Sequence, residues 1–226
     1  MVSFKGAPFV RDIILTCVRW YLAYPLSDRQ VEERMQERGV TVDPATVKRW
    51  VLQYAPWLEE AFHRRKRPVW RSWRMDATYI RVKGEWRYLY RAVDTCGQTI
   101  DFLLTAQRDE RAAWRFLTQA IHRHGVPETI TIDGSAAHEA AIQSYKEAHG
   151  TPISIRQVKS LNNIVEQDHR AIKRVTRPML GFKSFAAAQA TLVGIELMHM
   201  LKKRQLVVAV GAEGLTAAEQ FYRLAA

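Results

Sequence analysis

Two cysteines occur in 226 residues, Cys17 and Cys96, and they form no C-x-x-C pair. Their spacing excludes a disulfide framework and a cysteine-based zinc site, and it makes a reducing, cytoplasmic compartment the expectation. A long apolar run is also missing. The most apolar stretch, FAAAQATLVGIELMHML at 185–201, is interrupted by Gln189, Glu196 and His199. It falls short of the ~20 residues of a membrane span, so no membrane partner is expected. Lys5, Arg11 and Asp12 break up the first apolar stretch, and no signal peptide is expected. No GxxxxGK[ST] loop occurs, which argues against a nucleotide cofactor. There is no internal repeat or low-complexity tract, and aromatic residues at 10% argue against disorder.

What the chain does have is positive charge. Lys and Arg number 34 against 23 acidic residues, a net +11. Such an excess points to a polyanionic partner. It is unevenly spread: residues 1–75 carry 14 basic and 8 acidic groups, 76–150 carry 9 and 10, and 151–226 carry 11 and 5. Two basic segments flank a slightly acidic middle.

Hydrophobic periodicity divides the chain in the same way. VRDIILTCVRWYL places Val10, Ile13, Ile14, Val18 and Tyr21 at helical spacing. A second helix, DRQVEERMQER, starts from a Ser27 N-cap and stops at Gly39. A third opens with Asp43 as cap and Pro44 at the first turn, and is expected to end at Pro56. The last two read as a helix-turn-helix, residues 1–62 forming a DNA-binding domain. Residues 63–69, with the run HRRKRP, read as a basic linker, and 70–226 as a second domain. There the pattern turns strand-like, with hairpin punctuation at Lys83-Gly84 and Cys96-Gly97. Three antiparallel strands, a helix, a strand, a helix, a strand and further helices make an α/β layout with a mixed sheet.

Three carboxylates stand out by position. Asp76 interrupts the first strand between Met75 and Ala77, Asp133 sits where the strand PETITI meets Gly134, at its C-terminal end, and Glu166 lies on a helix starting near Asn162. A strand carboxylate among apolar neighbours is costly unless it is paired or binds a cation. Oxygen-only ligation suits Mg²⁺, and two such ions support in-line phosphoryl displacement. On the helix, Arg170 and Lys173 fall on the same face as Glu166, whereas Asp168 falls on another and is not placed among the ligands. Each residue alone also has an ordinary reading: an edge-strand Asp, an Asp-Gly turn, and an i,i+4 ion pair. Their order within one α/β fold favours the joint one.

At these residues the sequence resembles the DDE transposases of bacterial insertion sequences, and within them the IS-six/IS-twenty-six group. The stretches that carry the resemblance include ERGVTVDPATVKRWVLQYAP, WRMDATYIRVKGEWRYLYRAVD, the Asp133 turn, LNNIVEQDHRAIKR and LGFKSFAAAQATLVGIELM. The resemblance implies an RNase H-like, integrase-like core: a mixed sheet flanked by helices and preceded by an all-α helix-turn-helix domain. It implies that Asp76, Asp133 and Glu166 are the catalytic, metal-binding acids, with Mg²⁺ or Mn²⁺ as cofactor and two ions at the site. It also implies that Lys173 contacts donor DNA, with Asn162, Asn163, His169 and Arg170 matching the same motif. The partners implied are double-stranded DNA, as terminal inverted repeats and target, and further copies of the chain in a homodimer or higher oligomer. The protein would associate with the nucleoid when bound to DNA. Chemistry would proceed by 3′-end cleavage followed by attack of the freed 3′-OH on target DNA, in replicative, cointegrate-forming transposition. Two positions depart from the group: Ala77 stands where many relatives have Glu, and GSAAHEAA follows Asp133 where relatives often have Lys and then Tyr.

In the helix-turn-helix, Thr46, Lys48 and Arg49 are expected to face the DNA groove. Trp50, Trp57, Trp70, Trp73 and Trp86 read as core or domain-packing residues. The apolar stretch at 185–200 reads as a buried helix or a dimer face. Rival functions are a non-catalytic DNA-binding regulator, an RNase H-like nuclease without strand transfer, and a decayed copy.

Overall fold

The computed structural model describes residues 4–6, 8–208 and 214–225. In chain order the helical start comprises α1 (Arg11–Ala23), α2 (Asp28–Gln36) and α3 (Pro44–His63). There follow β1 (Ser72–Val82), β2 (Glu85–Asp94), β3 (Thr99–Thr105), α4 (Glu110–His124), β4 (Thr129–Ile132), α5 (Ala136–His149) and β5 (Ser154–Gln157). A 3-10 turn, Lys159–Asn162, leads into α6 (Asn163–Thr176), and α7 (Phe185–Lys202) and α8 (Ala217–Leu224) complete the chain. No helix among the described residues is long and apolar enough to cross a membrane.

Pro68–Ala171 forms one compact unit, and the described residues of Met1–Arg67 and Ile172–Ala226 form the other. This differs from a division at 63–69 with everything later in a second domain. The reason is long-range packing. α7 is apolar on most sides and buries Ala188, Leu192, Ile195, Met198 and Leu201, and it packs on α1, α3 and α8. Gly194 lets it approach closely, since a Cβ there would run into a Leu22 methyl and lie 3.0 Å from the Ala55 Cβ. The apolar stretch is therefore a buried helix of the helical unit.

Two local features of this unit also differ from expectation. α3 runs through Pro56 to His63. Proline inside a helix costs about 3 kcal/mol. Here the stripe Val47, Val51, Ala55, Leu58 and Phe62 continues unbroken into the core across it, and burying Leu58 and Phe62 offsets that cost at ~1.5–3 kcal/mol per side chain. The basic run is not a free linker either: Lys66 bridges Leu206 in antiparallel fashion, with Arg67 N–H donating to the Gln205 carbonyl at 2.8 Å and Val207 N–H to that of Arg65 at 2.8 Å. Upstream, the caps are as expected. Ser27 and Gln30 form a capping box on α2, and the Asp43 carboxylate accepts from the N–H groups of Ala45 and Thr46.

The second unit is built on a five-stranded sheet of order β3-β2-β1-β4-β5. β1, β2 and β3 are antiparallel, whereas β4 and β5 run parallel to β1. With its flanking helices this is the RNase H-like, mixed-sheet architecture expected from the sequence. Lys83 and Gly84, both at positive φ (51° and 80°), close the β1–β2 hairpin in two residues. At the next turn the buried Asp94 carboxylate accepts from Cys96 N–H and Gln98 N–H at 2.9 Å, and from Trp70 N–H at 3.1 Å. One sheet face carries Trp73, Met75, Ala77, Ile130 and Ile132, packed with Phe116 and Leu117 of α4 and Ile142 of α5. The 3-10 turn before α6 packs on β1 and β4.

Candidate active site

Strand pairing positions the first two acids. β1 and β4 run parallel with Ser72 opposite Thr129, Trp73 opposite Ile130 and Arg74 opposite Thr131. That constant offset of 57 places Asp133, one residue past the end of β4, level with Asp76. Side chains alternate along a strand, so Asp76 stands on the face opposite Trp73, Met75 and Ala77. Ala77 is thus a core residue, and the lack of a carboxylate there takes nothing from the face that bears Asp76.

Asp133 sits in a turn made for it. Its Oδ1 accepts from Ser135 N–H at 3.2 Å, and Gly134 adopts φ +84°, a conformation strained for any residue with a Cβ. His138 Nδ1 lies 3.9 Å from Oδ1 and Arg108 Nη2 lies 3.8 Å from Oδ2. The His138 imidazole, together with the Ser135 N–H and Arg108, holds the Asp133 carboxyl below its ordinary range despite partial burial. His138 is wholly buried, edge-on to Tyr90 at 5.5 Å, and its ring nitrogens have no hydrogen-bond partner among the described residues. Burial pushes the Tyr90 phenol up to about 12.

Asp76 has a cation opposite it on the ladder and an imidazole against it from α6. Directly across the antiparallel ladder stands Arg91 of β2, and His169 Nε2 of α6 lies 3.2 Å from Asp76 Oδ2. Arg91 is completely buried and its guanidinium meets Asp168 of α6 at 3.0 Å. Consecutive residues of α6 therefore engage neighbouring strands. Glu166 is one helical turn before His169, while Arg170 is exposed and Lys173 half-buried further along α6. Asn162 is buried just before the helix with no hydrogen-bond partner for its amide among the described residues.

The structure thus brings Asp76 and Asp133 into register and ties α6 to Asp76. It does not close Glu166 into a three-ligand cluster: among the described residues no three His, Cys, Asp or Glu side chains converge closely enough to hold a metal ion. Sequence reasoning missed Arg91, His138 and the pairing of Asp168. The signal for Arg91 was a cation within the apolar run 88–93 of its strand. His138 gave none beyond its position in the first turns of the helix after Asp133.

In the helical unit, Thr46 is buried and does not face outward as expected. Its hydroxyl donates to Asp43 Oδ2 and accepts from Arg49 Nη2 at 2.6 Å, completing the α3 cap. Lys48 and Arg49 are exposed, with Lys48 Nζ 2.7 Å from Asp28. Of the tryptophans, Trp50 and Trp73 are core residues, but Trp57, Trp70 and Trp86 are exposed.

Comparison with known proteins assigns the family. Residues 70–205 match the family described as a DDE domain. The chain is 39% identical over 212 residues to the transposase for insertion sequence-like element IS431mec of Staphylococcus aureus (strain Mu50), covering 90% of each. Identity is also 39% over 212 residues, 90% of each, with the transposase for insertion sequence element IS257 in transposon Tn4003 of Staphylococcus aureus. Among solved structures, it is similar to the HTLV-2 integrase catalytic core domain in complex with magnesium (trimeric form). That similarity has a TM-score of 0.47 and 18% identity, covering 67% of this chain and 95% of that one. The catalytic core domain of BIV integrase gives a TM-score of 0.45 and 19% identity over 68% of this chain and 94% of that one. On the family match and the curated relatives, this chain belongs to the DDE transposases of bacterial insertion sequences.

Proposed function

We propose that the chain binds the terminal inverted repeats of its insertion sequence, cuts the 3′ ends, and joins them to target DNA by direct attack of the freed hydroxyl. Asp76, Asp133 and Glu166 are the acids of this reaction. The observation that carries the reading is the common register of Asp76 and Asp133 on parallel strands, with α6 fastened to the same face through His169 and Asp168.

The donor set fits a hard divalent cation, since all three side chains offer oxygen and Asp133 is held ionised. Asp76, Asp133 and Glu166 would hold Mg²⁺ or Mn²⁺, as two ions, supplying activation of the attacking oxygen and charge neutralisation at the leaving one. The protein's own groups set the stage. His169 orients the Asp76 carboxylate, Ser135 N–H fixes that of Asp133, and Arg170 and Lys173 bind DNA phosphates on the side of α6 that bears Glu166. The same site serves a water and then a 3′-hydroxyl, so no protein nucleophile takes part.

The α2–α3 pair is the helix-turn-helix, with Lys48 and Arg49 contacting the repeats. Two element ends must be held together, which calls for a homodimer or a larger assembly.

The test is a Mg²⁺-dependent cleavage and joining assay on terminal-repeat DNA, comparing the natural protein with Glu166→Gln. Cleavage and joining by the former and neither by the latter are expected. Equal activity refutes the assignment of Glu166, and cleavage without joining identifies a nuclease instead.

A further inference from the structure

The buried side of β1 changes partway along the strand. Trp73, Met75 and Ala77 are buried, but from Thr78 onward the buried residues are Thr78, Ile80 and Val82, and Tyr79 and Arg81 are open. On β2, Trp86 stands opposite Arg81 and Tyr88 opposite Tyr79, so these four side chains share one side of the hairpin. Tyr79 and Trp86 pack edge to face with centroids 4.9 Å apart, yet are 54% and 55% exposed. The other side of the hairpin is anchored by Ile80 and Val82. The pair is a rigid apolar feature, half exposed, on the tip of the hairpin.

The charge around it is cationic. Arg81 and Lys83 are exposed and make no ion pair among the described residues, whereas Glu85 is neutralised by Arg87. The hairpin also overhangs the end of the sheet that carries the two aspartates. β4 stops at Ile132, and β3 ends at Thr105 opposite Tyr88. From Asp76 to Val82 the strand therefore projects ~20 Å at 3.3 Å per residue.

We propose that the β1–β2 hairpin tip is a DNA-binding element. Tyr79 and Trp86, on the sheet face opposite Asp76, form a stacking platform for an unpaired nucleobase of DNA that passes over the tip, and Arg81 and Lys83 bind the flanking phosphates. This rests on the reading of the chain as an enzyme acting on DNA ends. A second copy of the chain fits the surface less well, because apposed tips would bring Arg81 and Lys83 against their own kind, and protein interface cores are depleted in charge.

The test uses the full-length protein in EDTA, so that no strand is cut. One probe is a duplex with a three-nucleotide unpaired tail containing 2-aminopurine, and the other is the same duplex with blunt ends. The natural protein is expected to bind the tailed probe more tightly and to change its fluorescence. Trp86→Ala loses about tenfold on the tailed probe and nothing on the blunt one, with Tyr79→Ala behaving alike and Trp86→Phe retaining most of the binding. The double variant Arg81→Ala/Lys83→Ala weakens both probes and lowers the salt slope by about 2. Glu166→Gln keeps the binding and the fluorescence change, so this outcome is separable from the catalytic assignment. The proposal is overturned if Trp86→Ala matches the natural protein on both probes. It is also overturned if that variant changes only self-association in sedimentation.

Discussion

Arg91 of β2 and Asp168 of α6 form an ion pair at 3.0 Å, with the arginine side chain entirely removed from solvent. Because Arg91 also stands across the ladder from Asp76, the pair fixes the helix bearing Glu166 against the strand bearing the first acid. Breaking a buried pair by removing one partner leaves the other charge uncompensated. Arg91→Met is expected to lower unfolding free energy in urea by about 3–5 kcal/mol. Removing both charges, as Arg91→Met/Asp168→Leu, is expected to cost clearly less than the single change while still impairing DNA cleavage, because α6 is no longer fixed in register.

Acid dependence should report on Asp133. Its native pKa is depressed, first by His138 and then by Ser135 N–H and Arg108, with burial opposing. A group whose native pKa lies below its unfolded value of about 3.9 stabilises the fold above that pH. The contribution is lost as pH falls through the lower native value. Carboxyl NMR should show Asp133 titrating below the usual aspartate range, and His138→Phe should move that midpoint upward. An unmoved midpoint would remove His138 from the account.

The two cysteines should separate cleanly. Cys96 is exposed, whereas Cys17 is buried in α1 with its thiol pushed up to about 11. Ellman's reagent at neutral pH is expected to label one thiol per native chain, and both in denaturant. Cys96→Ser should abolish the native signal.

At Gly194 the close approach to Leu22 and Ala55 leaves no room for a side chain. Gly194→Leu is expected to destabilise the helical unit by about 1–3 kcal/mol through overpacking, although leucine is the better helix former. Thermal unfolding measures the difference, and an unchanged or raised Tm would show that α7 packs otherwise.

Much of this was legible in the sequence because it is local. The Asp43-Pro44 start of α3, the Lys83-Gly84 turn, the strands and the positions of the three acids follow from caps, turns and period-2 alternation. What was not legible depends on distant packing. The helical pattern of α7 says it is buried but not that α1 and α3 cover it, which is what groups it with the N-terminal helices. Pro56 reads as a stop when the stripe continuing to Phe62 is weighed too lightly. Thr46 reads as groove-facing from its place early in the helix, but its hydroxyl is engaged by Asp43 and Arg49. The site itself was legible as residue types, whereas the supports of Asp76 are set by sheet register and helix docking, which single-chain periodicity does not encode.

The central claim is that Asp76, Asp133 and Glu166 act as one set on a DNA phosphodiester. The most direct measurement is the rate of joined-product formation in Mg²⁺ from a pre-cut repeat end, for the natural protein and for Asp76→Asn, with unfolding curves confirming that both are folded. The variant is expected to lose about a thousandfold or more, the equivalent of the several kcal/mol that a metal-held carboxylate site contributes. A folded Asp76→Asn protein that joins DNA within tenfold of the natural rate would contradict the account.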